Sequence, residues 1–156
     1  MANRNENRGG GKREHVRDVM TPNPHTVTQK DKIVDAARIM AREDTGVVPV
    51  IDDGRKIVGL ITDRDIVVRL IAEGRNASDA TVNDAMSKSV RSVKEDTPIS
   101  EVMALMSSAQ VRRVPVVNSS DELVGIVSLA DLATETASDN RVGQTVEDIS
   151  KGSGNN

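Results

Sequence analysis

The chain has 156 residues, a net charge of −3, no cysteine and no Phe, Tyr or Trp. This excludes disulfides, thiolate chemistry and Cys-based zinc sites, and leaves no aromatic platform on which a nucleic-acid base would stack. No charge excess draws the chain to a polyanion, no apolar run reaches the roughly 18–20 residues of a membrane span, and Met1 to Glu14 lacks the apolar core of a signal peptide.

Residues 1–13 are polar and Gly-rich and read as a flexible tail. Gly9-Gly10-Gly11-Lys12 precedes no strand–helix unit, so it reads as linker and not as a phosphate loop. Regular patterning follows. His25 to Thr28 reads as extended. Ile33, Ala36, Ala37 and Met40 recur at helical spacing, with Asp31 placed to cap that helix. Val47 to Ile51 and Ile57 to Ile61 are β-branched strands joined by the turn residues Asp52-Asp53-Gly54. A helix is predicted from Asp63 to about Glu73, stopped at Gly74. Arg75 to Thr81 link this unit to the next.

The second unit repeats the first. A shift of 66 residues carries Val16-Arg-Asp-Val-Met-Thr21 onto Val82-Asn-Asp-Ala-Met-Ser87 without a gap. It carries Val48-Pro-Val50 onto Val114-Pro-Val116, Val58-Gly59 onto Val124-Gly125, and Asp65 onto Asp131. Matched blocks in one order mark a duplication. The predicted elements repeat accordingly. Arg91 to Lys94 is extended. Ile99, Val102, Met103 and Met106 lie on one helix face, with Thr97 as cap and Pro98 at the first helical position. Strands Arg113 to Val117 and Leu123 to Val127 flank the turn Asn118-Ser119-Ser120-Asp121, and a last helix starts near Leu129.

The fold class is α/β (α+β). Two β-α-β-β-α units, residues 14–74 and 80–136, each carry a three-stranded sheet, packed sheet to sheet, and a second tail covers 137–156. Ile66, Val67, Leu70 and Ile71 form an apolar helix face suited to a homodimer.

The chemistry-bearing residues lie where the last strand of each unit meets its last helix. They read Gly59-Leu-Ile-Thr62-Asp63-Arg64-Asp65 and Gly125-Ile-Val-Ser128-Leu129-Ala130-Asp131. Helix capping accounts for Thr62 and Ser128, with Asp65 and Asp131 favouring the helix dipole. A ligand site uses the same residues differently. A hydroxyl and free N–H groups at a helix start bind a phosphate, an Asp one turn on accepts ribose hydroxyls, and glycine lets a ligand approach the strand. His15 and His25 are the two histidines, and no nucleophile–base constellation surrounds them, so the chain reads as a non-enzyme.

The β-α-β-β-α repeat, the opening Asp18-Val-Met-Thr21, the Val-Pro-Val strands and the two Gly-h-h-Thr/Ser-x-x-Asp segments resemble a tandem pair of CBS (cystathionine β-synthase) domains, the Bateman module. The likeness covers about residues 14–136 and points to the stand-alone bacterial members. It implies a disc-like pair with pseudo-twofold symmetry and clefts for AMP, ADP, ATP or S-adenosylmethionine as a regulatory ligand, with no required cofactor and no metal. Carried over residue by residue, one site uses Thr62, Asp65, Arg91, Ser92, Arg112, Arg113 and Pro115. The other uses Ser128, Asp131, His25, Thr26, Gly46, Val47 and Pro49. Asp65 and Asp131 would hold ribose. The positions matching Arg112 and Arg113 in the first unit are the uncharged Gly46 and Val47, so the phosphate-bearing nucleotide is expected at the Thr62/Asp65 site. The alternative is a ligand-free homodimeric scaffold or docking protein in which capping is the whole role of these residues. A cytoplasmic location, a homodimer and an effector protein are the expected context, without membrane or nucleic acid.

Overall fold

A computed structural model of the chain describes residues 12–135. The predicted tails, 1–13 and 137–156, lie outside the described residues but for Lys12 and Arg13. The elements in chain order are β1 (Thr21–Pro22), α1 (Ile33–Glu43), β2 (Val47–Ile51), β3 (Ile57–Thr62), α2 (Asp63–Ile66), β4 (Val93–Lys94), α3 (Ile99–Ala109), β5 (Arg113–Val117), β6 (Leu123–Ser128) and α4 (Leu129–Glu135). Short 3-10 turns at Val16–Asp18 and Val82–Asp84 open the two units.

One sheet has the order β1-β6-β5-β4, with β4 parallel to β5 and the other pairs antiparallel. The β2-β3 hairpin forms the other, extended by single bridges from Val27, parallel to Val50, and from Ser87, antiparallel to Leu60. The two sheets are therefore built alike, each bridge of one recurring in the other at the 66-residue shift. The two turns are also alike. Asp52 Oδ1 accepts the Gly54 and Lys56 N–H groups at 2.9 Å, and Asn118 Oδ1 accepts those of Ser120 and Glu122 at 2.9 and 3.0 Å.

Each unit's opening segment belongs to the opposite core. Val16 is buried among Ile99, Val102, Met106, Val114 and Leu132 of the second unit. Val82, Ala85 and Met86 are buried among Val27, Ile33, Val48, Ile61 and Leu70 of the first. The strand that follows then joins the opposite sheet: Thr21 pairs with Ile126, and Ser87 with Leu60. The expected three-stranded sheets thus gain a fourth member from the other copy.

This exchange explains several departures from the sequence reading. The Val16 N–H donates to the Thr97 carbonyl at 2.9 Å, so Thr97 holds the crossing chain, and Pro98 takes the cap position before Ile99. Asp31 is not the cap of α1, which starts after Lys32; its carboxylate instead accepts the Thr28 N–H at 2.8 Å. The extended run His25 to Thr28 is reduced to the single bridge at Val27. Asp18 and Asp84 staple the two crossing turns. Backbone N–H donors at His15 and Thr81, respectively, are the main cause holding their carboxyls below the ordinary aspartate range.

The helix after Thr62 is also irregular. It widens into a π turn at Val67–Ile71, in which Ala72 N–H reaches the Val67 carbonyl at 2.8 Å and Arg75 N–H the Leu70 carbonyl at 2.9 Å. It stops at Gly74, whose φ of +69° is the left-handed stop expected there. The wider turn divides the predicted apolar face. Leu70 is fully buried and Ile66 packs against the same core, whereas Val67, Val68 and Ile71 stay 53, 46 and 59% exposed.

Two apolar clusters lie on the helix sides of the sheets, while Ile51, Val117 and Leu123 are buried outside both and the hairpins of the two units meet at the Lys56–Glu122 bridge. Alternation along the strands sets this arrangement. Val48, Val50 and Ile61 point at α1, while Val47, Pro49 and Leu60 point the other way, towards the junction of the units.

Candidate functional site

Gly59 and Gly125 mark the places where the crossing chain passes. A Cβ on Gly59 would sit 2.2 Å from Met86 Cε and 2.5 Å from the Ser87 carbonyl oxygen. On Gly125 it would sit 2.3 Å from Met20 Sδ and 3.0 Å from the Thr21 carbonyl oxygen. The sequence pattern suits these glycines to ligand approach; the structure fills that space with the Met86 and Met20 side chains and the crossing backbone.

The hydroxyl and carboxylate that follow form capping boxes. Asp65 N–H donates to Thr62 Oγ1 and Thr62 N–H to Asp65 Oδ2, both at 3.0 Å. Ser128 and Asp131 make the same pair at 3.1 and 2.9 Å. Asp65 is 13% exposed, and its Oδ1 lies 3.4 Å from Ser87 Oγ and 3.8 Å from Arg69 Nε. The Arg69 guanidinium also donates to the Met86 carbonyl at 2.9 Å, tying this helix to the crossing segment.

Two clefts lie at the junction. Cleft 1, of about 330 Å³, is lined by Leu60, Thr62, Ser87, Ser89, Val90, Arg91, Ala109, Val111 and Arg113. It brings together Thr62, Arg91 and Arg113 of the expected set. Asp65 stands behind Ser87, and Arg112, Ser92 and Pro115 are off the lining. The Arg112 carbonyl accepts the Leu129 N–H at 2.8 Å, so that residue sits over α4 of its own unit. Cleft 2 has two connected lobes, of about 400 and 210 Å³, sharing Thr21, Asp44, Thr45, Val47 and Ile126. His25 and Pro49 line the larger lobe, Gly46, Ser128 and Asp131 the smaller, and Thr26 neither.

The clefts differ in charge. Cleft 1 carries two guanidinium groups and no carboxylate on its lining. Among the described residues, neither Arg91 nor Arg113 has an ion-pair partner. Cleft 2 carries Glu43, Asp44 and Asp131 with His25, whose Nδ1 is 3.2 Å from Glu43 Oε1, and it also reaches Arg113. Sequence reasoning missed Glu43 and Asp44, although the 66-residue shift sets them against Ala109 and Gln110. It also missed Ser87 and Ser89, because the exchange of opening segments has no signal in spacing.

Such geometry defines a class: a tandem-repeat module whose halves exchange segments and enclose polar clefts between them. The chain belongs to the CBS-domain family, whose model matches residues 16–72 and 82–138. It is 39% identical over 138 residues to the uncharacterized protein YlbB of Bacillus subtilis, covering 88% of this chain and 92% of that one. It is similar to the solved structure of Hypoxic Response Protein I with two coordinated zinc ions, at 34% identity and TM-score 0.70 over 77% of this chain and 97% of that one. It is similar to CBSX2 in complex with AMP, at 27% identity and TM-score 0.67 over 80% and 96%. It is also similar to the CBS domain pair of MJ0100 in complex with 5′-methylthioadenosine and S-adenosyl-L-methionine, at 29% identity and TM-score 0.71 over 80% and 96%.

Among the described residues there is no catalytic domain beside the two repeats, and no group of three or more His, Cys, Asp or Glu placed to hold a metal ion. No helix among them is long and apolar enough to cross a membrane.

Proposed function

We propose that the chain is a cytoplasmic regulatory module that binds an adenosine ligand between its repeats, with the phosphate-bearing nucleotide in cleft 1. The observation that carries this reading is the unpaired Arg91–Arg113 lining without a carboxylate. Guanidinium groups desolvated beside a phosphate form short, charge-assisted hydrogen bonds. Thr62, Ser87 and Ser89 supply hydroxyls, and Leu60, Val90, Ala109 and Val111 supply an aliphatic wall for a base. Ser87, whose hydroxyl lies 3.4 Å from Asp65 Oδ1, lines cleft 1 and presents that carboxylate's polarity to ribose hydroxyls, and Asp131 lines cleft 2 and accepts them directly. The AMP and S-adenosyl-L-methionine complexes of CBSX2 and MJ0100 support the ligand class. Binding across two repeats shifts their relation by its differential contacts, and that shift is the regulatory signal to an effector protein.

The test uses the missing chromophores. Without Trp, Tyr or Cys the protein barely absorbs near 280 nm, so a 260 nm band on the purified protein reports carried nucleotide. If the protein is clean, AMP, ADP, ATP and S-adenosylmethionine are screened by thermal shift, where binding to the folded state raises the midpoint. No band and no shift with any of them defeat the reading. That result would favour a homodimeric docking scaffold, the reading to which the exposed Val67, Val68 and Ile71 also lend themselves.

A further inference from the structure

The two clefts share one side chain. Arg113 lines cleft 1 with Thr62, Ser87 and Arg91, and it lines the smaller lobe of cleft 2 with Gly46, Asp44, Ser128 and Asp131. The strand register explains the double position. Arg113 is the first residue of β5 and pairs with Ser128, the last residue of β6, so it stands at the edge where the units meet. At the equivalent place in the first unit, Val47 pairs with Thr62 and carries no charge. Arg113 is thus the single cation on the smaller lobe of cleft 2, against two carboxylates. Cleft 1 has Arg91 as well.

We infer that Arg113 couples the clefts, so that a phosphate bound in cleft 1 opposes a second phosphate in cleft 2. This rests on the nucleotide reading above. One guanidinium cannot neutralise phosphates on both sides. When a nucleotide in cleft 1 draws Arg113 to itself, cleft 2 is left with Asp44 and Asp131 and repels an anion. By linkage the opposition is mutual. The chain therefore takes a second phosphate-bearing ligand much more weakly than the first, and Arg113 sets that difference.

The test follows amide shifts by NMR during a titration with AMP, reading Ser89 and Val90 for cleft 1 and Asn23 and Thr45 for cleft 2. In the wild type the cleft 2 midpoint is expected at least tenfold above that of cleft 1. Arg91→Ala weakens cleft 1 while leaving Arg113 free, so it should move the cleft 2 midpoint several-fold towards tighter binding. Arg113→Ala should weaken both clefts. The coupling is overturned if Arg91→Ala leaves the cleft 2 midpoint where it was, or if Arg113→Ala weakens one cleft alone. If no amide in either cleft moves with AMP, the nucleotide reading fails, and the coupling fails with it.

Discussion

Gly59 and Gly125 occupy equivalent places but are not equally constrained. At Gly59 the added Cβ would meet backbone oxygen at 2.5 Å, which gives way only if the crossing strand moves. At Gly125 the backbone oxygen lies farther off, at 3.0 Å, while the tightest contact at both positions is a flexible methionine side chain, Met86 Cε at 2.2 Å and Met20 Sδ at 2.3 Å. Overpacking costs typically about 1–3 kcal/mol. Gly59→Ala is expected near the upper end and Gly125→Ala near the lower, as read by thermal or urea unfolding. Equal losses would show that the crossing chain is not what keeps these positions glycine. The sequence revealed the two glycines, the capping hydroxyls and the carboxylates by repetition alone. It could not reveal what faced them, because the facing residues come from the other copy, about 27 positions away at Gly59 and over 100 away at Gly125.

Among the elements, the helix beginning at Asp63 shows where pattern reading stops. A 3.6-residue period groups Ile66, Val67, Leu70 and Ile71 on one face. The π turn inserts an extra residue and turns Leu70 inward while leaving Val67, Val68 and Ile71 outside. No sequence periodicity signals such a turn. Three large exposed apolar side chains on one surface element suit a partner surface, and we propose a second copy of the chain there. Val68→Asp with Ile71→Glu is expected to convert a dimer to a monomer in light-scattering chromatography, with the unfolding midpoint changed little beyond the loss of association. A wild-type chain that elutes as a monomer at high micromolar concentration would refute the dimer. The four hairpin strands, in contrast, were legible to within a residue, because runs such as Val47 to Ile51 and Arg113 to Val117 are β-branched and bounded by strong turns, whereas the short strand Thr21–Pro22, which pairs only with the other unit, carries no such pattern.

For the whole molecule, the exchange of opening segments makes the two cores interdependent. Val16 is buried in the second core and donates its N–H to the Thr97 carbonyl, and Val82 is buried in the first and donates its N–H to the Asp31 carbonyl, so truncating either side chain loosens both units. Heating is therefore expected to give one transition, with calorimetric and van't Hoff enthalpies in agreement. Two resolved transitions would mean that the repeats are separate domains. The same exchange brings Ser87, Ser89 and Arg91 against Thr62, and so assembles cleft 1 from both halves. The most direct test of that cleft's role is calorimetric titration of AMP into the wild type, Arg91→Ala and His25→Ala. Arg91 and His25 are equivalent under the 66-residue shift, both are exposed, and each lines one cleft. A hydrogen bond to a charged group contributes about 1.5–3 kcal/mol, which corresponds to roughly tenfold or more in affinity. The account predicts that Arg91→Ala loses at least that much of the tight AMP binding, while His25→Ala stays within about twofold of the wild type. Equal losses in the two variants, or a greater loss in His25→Ala, would contradict it.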